Sequence, residues 1–424
     1  MSAGILLLGA DYYGTLAAVR TLGRRGIRVT VADEHRHARA MWSRYAAETA
    51  VHPPLGDPAA LIEWLLAWGG AHPGTVLYPT NDHLAWLFAR YRDVLGPVFQ
   101  MHSPSADAVI ALLDKQRLHE ACASADVGIE VPRTFSLRAA DGTDVDGATL
   151  PFPLLLKPRT QVLLESGIKG VLVADRDQLA SGLARFRRLV SFNRELSDRY
   201  PDVGEPLLQE YLAAAETAIV SVSGYVDAQG HVVARGAQKV LQRPRRLGIG
   251  LCFEGRPVDP VLVGKIGALC RRVGYFGTFE AEFIADGERR LLIDFNPRFY
   301  SQMAFDIDRG LDLPLIVWHA ARNDRPALSA ELAAARSWMP TGHEAYSHTS
   351  MLALVLTAQR LSGRMSAADA RRWRAWHAQR RGTLTDAVRD ASDRRPAVVD
   401  AAAWLRSFAR HPRGFVRNFV LNET

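Results

Sequence analysis

The feature that most constrains this chain is a carboxylate placed where a strand should be buried. Asp294 directly follows the apolar run Leu291-Leu292-Ile293. A fold that buries this strand must therefore supply a cation for Asp294. Glu282 lies twelve residues earlier in FEAEFI, across an Asp286-Gly287 turn. The pattern predicts a hairpin with strands over 279–284 and 290–295. Side chains alternate along a strand, so Asp294 and Asn296 share one face. Glu282, Asp294 and Asn296 are then three oxygen donors with no Cys or His among them. Such a set suits Mg²⁺, which keeps waters and takes substrate phosphates as further ligands. The plainer reading is a hairpin with acidic residues on its wet face.

Two lysines pose the same problem with the opposite sign. Lys115 follows Ala111-Leu112-Leu113-Asp114 at a helix start, and Lys157 ends the apolar strand 154–157 just before Pro158. A lysine at the edge of a buried strand is costly unless it meets an anion. Taken singly, each reads first as a snorkelling side chain. Between them and Val171 runs RTQVLLESGIKG, whose Ser166, Gly167 and Gly170 allow a loop that brings backbone N–H groups to a phosphate. The stretch LLQEYL at 207–212, followed by Glu216, reads as an apolar strand. Its backbone edge can face an adenine, with an acid near for a ribose hydroxyl.

The first 100 residues alternate strand-like and helix-like segments: strands at 5–8, 28–32 and 75–78, helices at 15–22 and 83–91. That alternation predicts a parallel sheet covered by helices. The turn GADYYG after the first strand has Gly9 and Gly14, with Asp33 closing the second strand. Asp11 and Tyr12 stand where a dinucleotide fingerprint wants close-packed glycines, so packing or substrate contact is the favoured reading. Residues 128–132 read as a linker. Beyond it the chain becomes α+β, with a hairpin at 219–226 and 231–235 ahead of the acidic one. From residue 329 strand signals nearly vanish, and helices are expected at 332–338, 350–360, 367–380 and 398–409.

Composition excludes several classes. With 424 residues, 48% hydrophobic and 23% charged, the chain is neither disordered nor a small disulfide scaffold. Cys122, Cys252 and Cys270 form no CxxC pair, and no apolar run approaches the length of a membrane span. The start lacks the basic segment of a signal peptide, so the expected location is cytoplasmic. Net charge is +7, yet residues 360–424 alone hold 14 Arg against 6 acidic residues. The excess therefore belongs to the tail and says little about a substrate bound elsewhere. Arg371-Arg372-Trp373-Arg374-Ala375-Trp376 suggests either a polyanion surface or helices that dock through Trp while Arg faces water. Asp386, Asp390 and Asp393 interrupt the basic stretch and favour the second, so neither nucleic acid nor membrane is an expected partner.

In order along the chain, LLDK around Lys115, GIEVPRTF, LLLKPR around Lys157, LLQEYL with Glu216, GAQKV around Lys239, and GYFGTFEAEF through LLIDFNPRF resemble the ATP-grasp superfamily of carboxylate–amine ligases. The resemblance covers roughly residues 1–320, and the final NPR-containing hairpin is its most specific part. It implies an α/β and α+β chain: a Rossmann-like domain at 1–110, a central lid at 111–210, a catalytic domain at 211–328 and a helical basic extension at 329–424. Carried over by position, Lys115 and Lys157 face the ATP phosphates. Gln209, Glu210 and Leu212 form the adenine strand, with Glu216 at the ribose. Glu282, Asp294 and Asn296 are the Mg²⁺ ligands, although many relatives carry Glu where Asp294 stands. Lys239 and Arg298 face the transferred phosphate or the substrate carboxylate. Asp82 and Arg245 are expected at the substrate.

The implied activity joins a small-molecule carboxylate to an amine through an acylphosphate, using ATP and Mg²⁺, with a homodimer as the default assembly. The alternatives are an ATP-dependent carboxylase or thiol ligase, a nucleotide-binding protein without turnover, and a dinucleotide oxidoreductase built on GADYYG.

Overall fold

The computed structural model describes residues 4–136, 150–244, 246–340, 342 and 344–421. Three sheets organise them. The first contains β1 (Ile5–Leu8), β2 (Val29–Asp33), β3 (Glu48–Val51), β4 (Val76–Leu77) and β5 (Gln100–Met101), all parallel, in the order β3-β2-β1-β4-β5. Parallel strands need crossover helices, which cover both faces, so the central strand is apolar throughout rather than alternating. Accordingly Ile5 and Leu7 pack on one side with the helix Tyr13–Arg24. Leu6 and Leu8 pack on the other with Pro58–Ala71 and Asp82–Arg90.

The second sheet is β6 (Thr134–Phe135), β7 (Leu154–Lys157), β8 (Val171–Val173) and β9 (Leu207–Glu210), in the order β6-β9-β7-β8 and antiparallel. The helix Asp177–Leu189 lies against it, with Phe186 fully buried among Leu154, Leu156 and Val173.

The third sheet has seven strands: β10 (Ile219–Val226), β11 (Val232–Arg243), β12 (Ile249–Arg256), β13 (Gly277–Asp286), β14 (Arg289–Asn296), β15 (Ala345–Ser347) and β16 (Leu384–Asp386). Their order is β14-β13-β10-β11-β12-β15-β16. The helix Pro260–Val273 buries Ile266 and Leu269 against Phe279, Ala281 and Phe295 on one face of this sheet. The last two strands come from the stretch that reads as purely helical. Each is three residues long and takes its extended form from its neighbour in the sheet, β15 from the edge of β12 and β16 from β15, a tertiary effect that local pattern does not encode.

The segment after β14 ties the third sheet to the first. Phe299, Tyr300, Met303 and Leu313–Val317 share one core with Leu16, Val19 and Leu22 of the first helix. The approach is close at Gly14, where an added Cβ would lie 2.5 Å from the Tyr300 carbonyl oxygen. The GADYYG turn is thus a packing surface for a distant part of the chain. The C-terminal helices dock as well: Trp373, Trp376, Trp404 and Phe419 pack on Leu241, Leu251 and Met351, while Arg371, Arg372 and Arg374 are exposed. Among the described residues, no helix is long and apolar enough to cross a membrane. Cys122, Cys252 and Cys270 are buried free thiols.

Candidate active site

A cavity of about 360 Å³ opens where the three sheets meet. The acidic hairpin supplies one wall. Glu282 pairs in register with Asp294, and Glu280 with Asn296. A register shift after Glu282 leaves Ile293 without a partner, so Ile293, Asp294 and Asn296 all line the cavity. Lys157 enters from the end of β7, Lys239 from the middle of β11, and Lys115 from the first residue of the helix Lys115–Cys122. That helix is capped by Asp114, whose side chain accepts from the Gln116 N–H and is gripped by Arg159 at 2.7 and 2.9 Å.

Two acids in the wall have a cation each. Lys115 Nζ donates to Asp294 Oδ1 at 2.9 Å, and Lys239 Nζ to Glu282 Oε1 at 2.8 Å. Arg298 bridges two elements, donating from Nε to Asp82 at 2.8 Å and from a terminal nitrogen to Asn296 Oδ1 at 2.7 Å. Asp82 reaches this point because Asn81 caps the helix Asp82–Arg90 at the carboxyl end of β4. Gly9, at φ +69° beside Thr80 and Asn81, lets the adjacent turn approach that cap.

The titration behaviour follows from crowding of like and unlike charge. Burial alone would raise Asp294, but Lys115, Lys157 and Arg298 outweigh it and hold the carboxyl down at about 2. Burial, then Lys115, push Lys157 down to about 8; Asp294 and Glu282 only partly oppose them. Lys169 is lowered by burial and by Lys239. Lys157 and Lys169 make no ion pair among the described residues. Glu280 is pushed up to about 8 by burial and by Glu282, while Gln302 and Asn296 hydrogen-bond its two oxygens. Near neutral pH the lining therefore carries more positive than negative charge, a setting for an anion.

The structure brings together Lys115, Lys157, Lys239, Glu282, Asp294, Asn296, Arg298 and Asp82. It does not bring Gln209, Glu210, Leu212 or Glu216 into the cavity lining. Gln209 is buried in β9, and its amide nitrogen has no hydrogen-bond partner among the described residues. Glu210 accepts from the backbone and side chain of Arg133. Leu212 packs on the cluster of Ile219, Ile284 and Leu291, and Glu216 holds Tyr211 and Arg246 at 2.6 and 2.9 Å. Arg245 lies outside the described residues. Glu280, Lys169, Gln302, Tyr13 and His348 line the cavity without having been singled out. Only Glu280 had a signal, since it stands two residues before Glu282 on the same strand face.

Among the described residues, no group of three or more His, Cys, Asp or Glu side chains is placed to hold a metal. The set Glu282, Asp294 and Asn296 relies on an amide instead. Its donors are hard oxygens, and one oxygen of each carboxylate makes no hydrogen bond among the described residues. Two carboxylates and an amide, with phosphates and water completing the shell, fit Mg²⁺.

No protein-family model matches the sequence, and no curated protein sequence matches it. Solved structures do match. Biotin carboxylase from Campylobacter jejuni superposes with a TM-score of 0.59 at 16% identity, over 80% of this chain and 72% of that one. L-amino acid ligase from Bacillus licheniformis gives 0.55 at 12% identity, over 76% and 74%. N5-carboxyaminoimidazole synthetase from Staphylococcus aureus gives 0.53 at 16%, over 76% and 78%. Sharing the arrangement of these three ATP-grasp enzymes, the chain has the ATP-grasp fold.

Proposed function

We propose that this protein is an ATP- and Mg²⁺-dependent ligase that activates a carboxylate as an acylphosphate and couples it to an amine. One observation carries the reading: a single cavity sets Lys115, Lys157, Lys169, Lys239 and Arg298 around Glu282, Asp294 and Asn296. A triphosphate needs that excess of fixed cations, and a divalent ion needs that oxygen set. Magnesium, when bound, neutralises charge between phosphate oxygens. Lys115 and Lys157 hold the phosphate chain, and Lys239 and Arg298 stabilise the negative charge that grows on the transferred group. The substrate carboxylate oxygen attacks the γ-phosphorus, the bond to the β-phosphate oxygen breaks, and ADP leaves. The amine then adds to the acyl carbon and phosphate departs. Residues 159–170, which contribute Gln161 and Lys169 to the wall, cover the acylphosphate against water.

Two of the structurally similar enzymes are named as a carboxylase and a carboxyaminoimidazole synthetase. Bicarbonate as the activated carboxylate is therefore the second reading, and it uses the same residues.

The test is ADP release from Mg²⁺-ATP, screened against pools of amino acids with and without added carboxylates or bicarbonate. Turnover that requires a carboxylate and an amine supports the first reading, and turnover on bicarbonate the second. Asp294→Asn should lower kcat at least a hundredfold while the protein remains folded; wild-type turnover in that variant would remove Asp294 from the site.

A further inference from the structure

The helix Arg395–Arg410 reaches the cavity from behind. Its Asp400 is fully buried, yet no sequence neighbour of Asp400 lines the site. Its carboxylate accepts from the Tyr13 hydroxyl at 3.2 Å and forms an ion pair with Arg39 Nε at 3.1 Å. The Arg39 guanidinium also lies over the Tyr13 ring, 4.3 Å from its centroid. Tyr13 in turn shares a hydrogen bond of 2.6 Å with His348 Nε2. The Met351 N–H donates to His348 Nδ1 at 3.3 Å, which places the proton of a neutral imidazole on Nε2. The direction of the chain is then set: His348 donates to Tyr13, and Tyr13 donates to Asp400. Tyr13 and His348 both line the cavity, beside Phe253 and Tyr346, whose rings stack edge to face at 5.7 Å.

We propose that the C-terminal helix completes the substrate end of the cavity, with Asp400 as a positioning residue that holds Tyr13 and His348 as one uncharged wall for the substrate. The inference rests on the ligase reading for what the cavity binds. The wall consists of a phenol, an imidazole and two further aromatic rings, so the part of the substrate it receives carries no charge. An amino acid with an apolar or aromatic side chain fits that description. Burial keeps the imidazole neutral and the phenol protonated, which agrees with the assigned hydrogen-bond direction.

A second buried contact makes the proposal testable without losing the helix. Asp393, just ahead of the helix, accepts from Arg20 Nε at 2.9 Å, Ser43 Oγ at 2.7 Å and the Arg44 N–H at 2.9 Å. This anchor is independent of Asp400 and keeps the segment docked when Asp400 is replaced.

The experiment compares wild type, Asp400→Asn and Tyr13→Phe as full-length proteins. With the pool that supports ADP release, KM for the amino acid should rise about tenfold in both variants, and KM for ATP should stay within twofold. Equal KM values with only a lower melting temperature would overturn the proposal, as would equal use of acidic and apolar amino acids by wild type. If no pool gives ADP release, the ligase reading fails, and the wall is judged by binding instead. The same amino-acid pools are then added to the protein with a non-hydrolysable ATP analogue, and the melting temperature is followed. A pool-dependent rise that is lost in both variants supports the wall. A rise that persists in them, or no rise in wild type, overturns it.

Discussion

Lys157 should make the free protein less stable than it would be without it. The side chain is only 8% exposed, ends a strand, and has Lys115 rather than an acid as its strongest charged neighbour. Its pKa falls from the ordinary 10.5 to about 8, a net effect that already includes the attraction of Asp294 and Glu282. At ~1.4 kcal/mol per pH unit, this difference amounts to about 3 kcal/mol. The sign follows from linkage. Between pH 8 and 10.5 the unfolded chain binds more protons than the folded one, so stability rises with pH across that window. Below pH 8 both states carry the proton and the whole destabilisation is present. Lys157→Met keeps the length of the side chain and removes the charge. At pH 7 the variant should gain up to about 3 kcal/mol, or roughly 3–6 °C in melting temperature for a chain of this size. The gain should shrink as pH rises, and it should vanish above 10.5. Differential scanning calorimetry of both proteins at pH 7, 9 and 10.5 measures it, and the parallel ADP-release assay should show activity lost. A variant that melts at or below wild type at pH 7 would refute the reasoning, as would a gain independent of pH. Stability gained where function is lost marks a cation held for a ligand.

Asp393→Ala should lower stability by about 3–5 kcal/mol, because it strands the buried Arg20 guanidinium, and a melting curve at pH 7 reads it directly. Gly14→Ala should cost about 1–3 kcal/mol, since the new methyl meets the Tyr300 backbone, which cannot swing away as a flexible side chain could. Its melting temperature, compared with that of an exposed Gly26→Ala control strained only by φ, separates crowding from conformation.

Much of the fold was legible because its signals are local. The apolar strands 5–8 and 154–157, the glycine after β1 and the two hairpins, turning at Asp227–Gly230 and at Asp286-Gly287, each follow from side-chain periodicity and turn chemistry. What escaped were elements defined by distant partners. The strand Ala345–Ser347 forms on the edge of β12 and Leu384–Asp386 forms on Ala345–Ser347, and no residue within either announces it. The docking of the C-terminal helices was readable only in outline, from the Trp and Arg spacing of 371–376. The contacts that anchor this part of the chain, Arg20 with Asp393 and Arg39 with Asp400, join residues more than 350 apart.

The site divides along the same line. Asp294 and Lys157 stood out because each is a charge at the end of an apolar strand, and a charge there is a local contradiction that only a tertiary partner resolves. Asn296 and Glu282 followed from Asp294 by strand geometry, and Glu280 obeys the same geometry. Lys169, by contrast, sits in a segment with no periodicity, so nothing in its surroundings marks it as a residue of the cavity. Tyr13 and His348 carry still less signal, since an aromatic beside a turn and a histidine before a helix are ordinary residues. Their place at the cavity depends on a chain of hydrogen bonds that crosses three elements and closes on Asp400. A sequence therefore exposes the charged groups of a cavity, whose burial is anomalous wherever it occurs. It conceals the neutral ones, whose burial is the rule.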